Sequence, residues 1–144
     1  VAGEPRLPVA YDAPYGLAAV DEDGRRFTLA PAPTTIEFDL PAGVATVTGE
    51  CKMLRSSWAQ SQGHTAGVDF IAETLGPDGK VTEVWRQRLD PANRPEDRAA
   101  HPFTFAVGNP SPVRLRLRSA PAHPPDNSFG DAAWGQLRAN LKQP

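Results

Sequence analysis

The sequence predicts an all-β protein, an antiparallel two-sheet β-sandwich of about eight strands. Apolar residues recur at every second position in short runs, as expected when strands bury one face. The 16 prolines and 12 glycines make up about a fifth of the 144 residues and occur from end to end. Because proline costs about 3 kcal/mol inside a helix, this distribution excludes an all-helical bundle. One sheet of so many strands would expose a wide apolar face, so two sheets packed face to face are predicted.

The individual strands are predicted from alternation and from the turn signals between them. In the segment 34–40, Ile36, Phe38 and Leu40 share one face. In the tail, a helical spacing of apolar residues competes with a strand pattern, and Gly135 favours the strand. The predicted strands are 17–20, 34–40, 44–54, 67–75, 80–89, 103–107, 113–119 and 132–142.

The chain has the length of one domain, and its first part shows no sustained periodicity. Residues 1–25 are rich in proline and alanine and are predicted to be a linker or an irregular N-terminal arm. Residues 26–144 are predicted to form the sandwich domain. Since the sequence begins with Val1, we expect either a processed chain or a piece of a longer protein.

Charge, the lengths of apolar runs and cysteine content exclude several kinds of partner and site. Fifteen basic and 17 acidic residues give a net charge of −2, which argues against a nucleic-acid partner. The sequence contains no run of about 18 apolar residues, so this segment is not expected to insert into a membrane. Cys51 is the single cysteine, which excludes an internal disulfide and a thiolate zinc site.

The sequence shows no arrangement of residues typical of an enzyme. Its three histidines, His64, His101 and His123, have none of the spacings of a metal site. Asp69 and Glu73 would lie about 13 Å apart along one strand, beyond the roughly 5–9.5 Å between the carboxylates of a glycosidase. We therefore predict a protein that is not an enzyme.

Trp58 lies in a polar stretch and is the first candidate ligand-binding residue. Gln60 and His64 follow it in the same predicted loop. Sugar rings stack on exposed tryptophans beside planar polar groups, so this loop could contact a glycan. Burial of Trp58 in the core is the alternative, because large aromatic side chains are mostly buried.

Three arginines on alternate positions of one strand are the second candidate. Arg114, Arg116 and Arg118 would project from one face within roughly 13–14 Å. Such a row could bind carboxylates or sulfates through bidentate hydrogen bonds. It could equally be a solvated face, paired with acids of neighbouring strands such as Glu73 or Glu83.

A proline-rich loop near the C-terminus offers oxygen ligands for a metal ion. Asp126, Asn127 and Asp131 carry side-chain oxygens of the type that calcium binds in loops. A structural calcium ion is therefore the one cofactor that the sequence suggests, although the spacing is not that of an EF-hand.

The order of these segments resembles the NPCBM family of carbohydrate-binding modules. A proline-containing segment leads into an alternating strand at 29–43, and paired strands surround an Asp-Gly turn at 67–85. An apolar-arginine strand follows at 113–119, and a loop then closes on Asp131-Ala132-Ala133-Trp134. The resemblance covers about residues 27–142.

The resemblance implies a galactose-binding-like jelly roll, often an ancillary domain of extracytoplasmic glycoside hydrolases or cell-envelope proteins. In such domains, ligands usually lie in the loops at one end. We therefore expect a non-catalytic carbohydrate-binding or ancillary module, extracytoplasmic, with a polysaccharide or glycan as partner. The alternative is a structural or protein-interaction domain of a larger cell-envelope protein, without a sugar site.

Overall fold

A computed structural model describes residues 10–59, 63–108 and 111–141. This part of the chain contains ten strands. They are β1 (Ala10–Asp12), β2 (Ala18–Glu22), β3 (Arg25–Leu29), β4 (Thr34–Leu40), β5 (Val44–Met53), β6 (Val68–Leu75), β7 (Val81–Leu89), β8 (His101–Ala106), β9 (Val113–Pro121) and β10 (Ala132–Leu141). Single 3₁₀ turns lie at Arg55–Ser57 and Pro95–Arg98. No helix of the described residues has the length and apolar character needed to cross a bilayer.

The strands form two five-stranded sheets, which confirms the predicted all-β sandwich. Sheet 1 has the order β1-β4-β9-β6-β7, and sheet 2 has the order β2-β3-β10-β5-β8. Every strand pair is antiparallel. The described strands number ten rather than about eight, because β1 and β3 were not anticipated. The ambiguous tail is a strand, β10, at the centre of sheet 2.

The N-terminal segment belongs to the sandwich from Ala10 onward. Strand β1 pairs with β4, where Tyr11 faces Ile36, and β2 pairs with β3 along its whole length. The predicted short strand at 17–20 is confirmed as β2. The sandwich thus extends into the predicted arm, whose residues 1–9 lie outside the described residues.

The core between the sheets follows the predicted alternation and is closed by aromatic rings. Trp134 is 1% exposed, and its ring centroid lies 5.1 Å from that of Phe70 and 5.8 Å from that of Phe103. Trp85 is half-buried and packs on Phe103 at 4.6 Å. Burying such side chains stabilises the fold by about 1.5–3 kcal/mol each.

A smaller apolar cluster covers the outer face of sheet 2. Phe27, Leu54 and Ala133 are its buried members. Phe27 lies directly over Gly135, where a β-carbon would come within 2.6 Å of the Phe27 ring. Gly135 is therefore required in β10 because another side chain occupies the space beside it.

Candidate functional site

Three connections between the sheets meet at one end of the sandwich, which we call the loop end. The β3–β4 link joins the β9–β10 loop through a hydrogen bond from Ala32 N to Gly130 O, 2.9 Å long. The β5–β6 loop joins the same loop through a bond from Leu54 N to Asp131 O, 3.0 Å long. These main-chain bonds bring segments that are distant in the sequence into one surface.

The loop end contains an open cleft of about 290 Å³ with two exposed aromatic side chains. Tyr15, in the β1–β2 connection, is 61% exposed, and Phe129, in the β9–β10 loop, is 38% exposed. The residues that line the cleft are Tyr15, Pro31, Ala32, Asn127, Phe129, Gly130 and Asp131. Solvent thus reaches two rings that a stable core would normally bury.

Phe129 is held in a backbone conformation that bulky residues rarely adopt. Its φ is 53°, in the left-handed region. The β5–β6 loop packs against its ring, since a β-carbon added at Gly63 would lie 2.6 Å from Phe129 Cε2. Such strain is concentrated at functional sites, where surrounding contacts maintain it. The lack of a side chain at Gly63 therefore leaves the space that the Phe129 ring occupies.

The polar groups of the cleft are fixed by neighbouring loops. Asn127 donates from Nδ2 to Tyr15 Oη at 2.9 Å. Asp131 accepts a hydrogen bond from Ser56 Oγ at 2.6 Å through Oδ2, and its main-chain N–H donates to Ser57 Oγ at 3.2 Å. An aromatic pair beside a positioned amide and a positioned carboxylate can bind a ligand that has both an apolar face and hydroxyl groups.

Trp58 and His64 adjoin this end of the fold but do not line the cleft. Trp58 is half-buried, and the Arg98 guanidinium stacks on its ring at 4.6 Å from the centroid. Its Nε1 is buried without a hydrogen-bond partner among the described residues. His64 is exposed and donates from Nδ1 to Thr65 O at 2.9 Å. Gln60 lies outside the described residues, and ligand binding by these three residues stays a prediction.

The three arginines of β9 lie on the outer face of sheet 1, paired with acids. Arg116 Nε is 2.9 Å from Glu73 Oε1, and Arg118 Nη1 is 3.2 Å from Glu73 Oε2. Arg114 Nη1 is 3.2 Å from Glu37 Oε1, and this hydrogen bond raises the pKa of Arg114. The row of arginines therefore has the second predicted arrangement, a face whose arginines pair with acids of neighbouring strands. The arginines belong to a sheet face and not to the loop cluster.

The three oxygen-bearing residues of the β9–β10 loop are engaged by different partners. Asp126 Oδ1 accepts from Ser128 N at 3.1 Å, and hydrogen bonding by Ser128 lowers the pKa of Asp126. Asn127 and Asp131 are held by the tyrosine and the serines named above. No cluster of three or more histidine, cysteine or acidic side chains suited to a metal ion occurs within 10–59, 63–108 and 111–141. Calcium binding by this set stays a prediction.

Cys51 is expected to be unreactive in the folded protein. It is fully buried in β5, and burial raises the pKa of its thiol to about 12. The nucleophilic thiolate is therefore nearly absent at pH 8. Ellman's reagent should label far less than one thiol per chain at pH 8, and one thiol after unfolding in guanidinium. Rapid stoichiometric labelling of the native protein would contradict this placement.

Comparisons with known proteins identify the type of fold. The sequence matches no protein-family model and no curated protein. Its structure is similar to that of CBM51-2 with the INT domains from Clostridium perfringens ZmpB, with a TM-score of 0.61 and 14% identity. That match covers 94% of this chain and 30% of the other.

Two further neighbours match over nearly their whole length. A family 6 carbohydrate-binding module has a TM-score of 0.54 and 6% identity, covering 94% of this chain and 88% of that one. The C-terminal CBM6 of the laminarinase LamC from Zobellia galactanivorans has a TM-score of 0.52 and 10% identity, covering 92% of each chain. The chain has the β-sandwich fold of carbohydrate-binding modules. Membership of the NPCBM family stays a prediction.

Sequence reasoning missed the two aromatic side chains of the cleft. Tyr15 lies in the segment predicted to be a linker or an irregular N-terminal arm, and Phe129 lies between the proposed calcium ligands Asn127 and Asp131. The available signal was an aromatic residue in a polar loop, the criterion that selected Trp58. Applied equally to phenylalanine, that criterion would have selected Phe129.

Proposed function

We propose that this chain is a non-catalytic carbohydrate-binding module whose site is the loop-end cleft. The observation that carries the proposal is the pair of exposed rings, Tyr15 and Phe129, beside Asn127 and Asp131. The rings offer apolar surfaces for the C–H faces of a sugar, and the polar pair can bind its hydroxyls. The carbohydrate-binding modules among its structural neighbours support this assignment.

The size and openness of the cleft favour a small ligand unit bound weakly. Ligand sites of about 300–1,000 Å³ hold drug-sized molecules, and this cleft is at the lower limit of that range. We therefore propose recognition of a chain end or a single branch, with a Kd between about 10 μM and 1 mM. We further propose that the module acts outside the cytoplasm, as an ancillary part of a longer protein.

A glycan array, followed by calorimetric titration, tests the proposal. The purified chain should bind a subset of the arrayed glycans. Calorimetry with each of these glycans should then show binding at millimolar concentrations or below. The heat-unfolded chain on the same array is the control for nonspecific adsorption. Absence of any signal at millimolar concentrations, on the array and with cell-wall polysaccharides, would contradict carbohydrate binding.

The outer face of sheet 1 favours a second candidate, a structural or protein-interaction domain. Asp69 pairs with both Arg86 and Arg88, in addition to the pairs of β9 already described. A charge-balanced face of this kind suits contact with another domain of a larger protein. A chain that binds no glycan, but associates in trans with the adjoining part of its parent protein, would support this candidate.

A further inference from the structure

We propose that the loop-end cleft selects uncharged sugar units and excludes those carrying a carboxylate or a sulfate. The inference rests on the proposed function and adds the class of ligand. Asp131 is the one charged side chain among the described residues that line the cleft. A bound anion would therefore meet a carboxylate that no cation of the described lining compensates.

The charge of Asp131 is fixed in position by the neighbouring loop. Its Oδ2 accepts from Ser56, which orients the carboxylate, and its main-chain N–H donates to Ser57, which holds the backbone. Among the described residues, no protein donor is placed on Oδ1. In this proposal Oδ1 accepts a hydrogen bond from a sugar hydroxyl, which a carboxylate or sulfate ester group cannot donate.

A second acidic residue lies in the β9–β10 loop, outside the cleft lining. Asp126 carries a second carboxylate in the same loop, and hydrogen bonding by Ser128 is the main cause of its lowered pKa. His123 and His64 interact with Asp126 more weakly and supply positive charge only when protonated. The exclusion is tested at pH 8, well above the usual pKa of a histidine side chain in general.

The basic side chains considered for anion binding have partners elsewhere. Arg116 and Arg118 share Glu73 on the outer face of sheet 1. Arg98 stacks on Trp58 and donates from Nε to a main-chain oxygen, and it is not part of the cleft lining. The row of arginines predicted to bind carboxylates or sulfates is therefore not part of the cleft lining.

Matched sugar pairs that differ in charge provide the test. Methyl glucoside against methyl glucuronide, and methyl galactoside against methyl galacturonide, are titrated into the wild-type chain at pH 8 and low ionic strength. The better neutral sugar should bind at least tenfold more tightly than its uronide, a difference of about 1.4 kcal/mol. Salt should reduce the difference, because it screens exposed charges.

Two variants test whether the charge of Asp131 causes the selectivity for neutral sugars. Asp131→Asn keeps the shape of the side chain and removes its charge, so the ratio of neutral to anionic affinity should fall at least threefold. Asp39→Asn is the matched control, because Asp39 is an exposed acid that pairs with Arg114 on sheet 1. It should leave the ratio unchanged. Urea unfolding of both variants verifies that each is folded.

Failure of the charge exclusion and failure of carbohydrate binding give different results. If some glycan binds on the array but the uronides bind as tightly as their neutral partners, charge exclusion is wrong and carbohydrate binding stands. If uronide binding is tight and is lost in Arg98→Ala, an anion subsite at Arg98 replaces the proposal. If no sugar or polysaccharide binds, the proposed function fails and the inference with it.

Discussion

Replacing Phe129 with alanine is expected to weaken glycan binding at least tenfold, and Tyr15→Ala should have an effect of similar size. Each ring provides exposed apolar surface at the cleft, and aromatic residues of this kind commonly contribute 1–2 kcal/mol or more to binding. At 1.4 kcal/mol per factor of ten, the double variant should bind about a hundredfold more weakly if the two effects add. Calorimetry with a glycan that the wild-type chain binds on the array measures the loss of affinity.

Tyr11→Ala is the matched control for this experiment. Tyr11 is a 66% exposed tyrosine in the same N-terminal stretch, but it lies in β1 and does not line the cleft. Its replacement should leave glycan affinity within a factor of two. Equal losses for Tyr11→Ala and Tyr15→Ala would show that the cleft is not the site.

Replacing Trp134 with alanine should destabilise the fold by about 3–5 kcal/mol, a large part of the stability of a domain of this size. Trp134 is almost completely buried and contacts the rings of Phe70, Trp85 and Phe103. Its removal leaves a cavity at the centre of the sandwich that the surrounding strands cannot close. Urea unfolding followed by circular dichroism measures the change in the free energy of unfolding.

Trp58→Ala is the comparison for this second prediction. Trp58 is half-buried in a loop and stacks with one arginine, so its replacement should cost less than 2 kcal/mol. A cost equal to that of Trp134→Ala would show that Trp58 belongs to the core. The same variant, titrated with glycan, measures whether Trp58 contributes to binding.

Strands β4, β8 and β9, all predicted from the sequence, show a two-residue period of burial. In β4, Ile36, Phe38 and Leu40 face the core while the intervening residues face outward, and β9 repeats this pattern. The period fixes which face is buried, because a one-residue shift would place every apolar side chain in solvent. Local alternation was therefore sufficient for these elements.

The two strands that were missed do not bury a continuous face. Strand β1 is three residues long and fully exposed. In β3, Phe27 is the one fully buried residue, and it packs on the outer face of sheet 2 against Leu54 and Ala133. Strand β1 pairs with β4, and the buried ring of Phe27 packs against residues distant in the sequence, so the residues of these two strands give little periodic signal themselves.

The candidate site was harder to predict than the fold, for a related reason. The exposure of Phe129 depends on its left-handed backbone and on the contact with Gly63, more than 60 residues earlier in the sequence. The role of Tyr15 depends on a hydrogen bond with Asn127. Composition and spacing report neither contact. They indicated Trp58, whose ring the structure covers with Arg98.

Strands β1 and β2 determine how far the chain can be truncated from its N-terminal side. Strand β1 extends sheet 1, β2 extends sheet 2, and Tyr15 lies in the connection between them. Trimming the chain at residue 26 would remove an outer strand from each layer and one wall of the cleft in a single cut. Proteolytic nicking in this connection would likewise disrupt the cleft while most of the core stayed intact. Residues 10–25 are therefore part of the sandwich, because they supply one strand to each sheet.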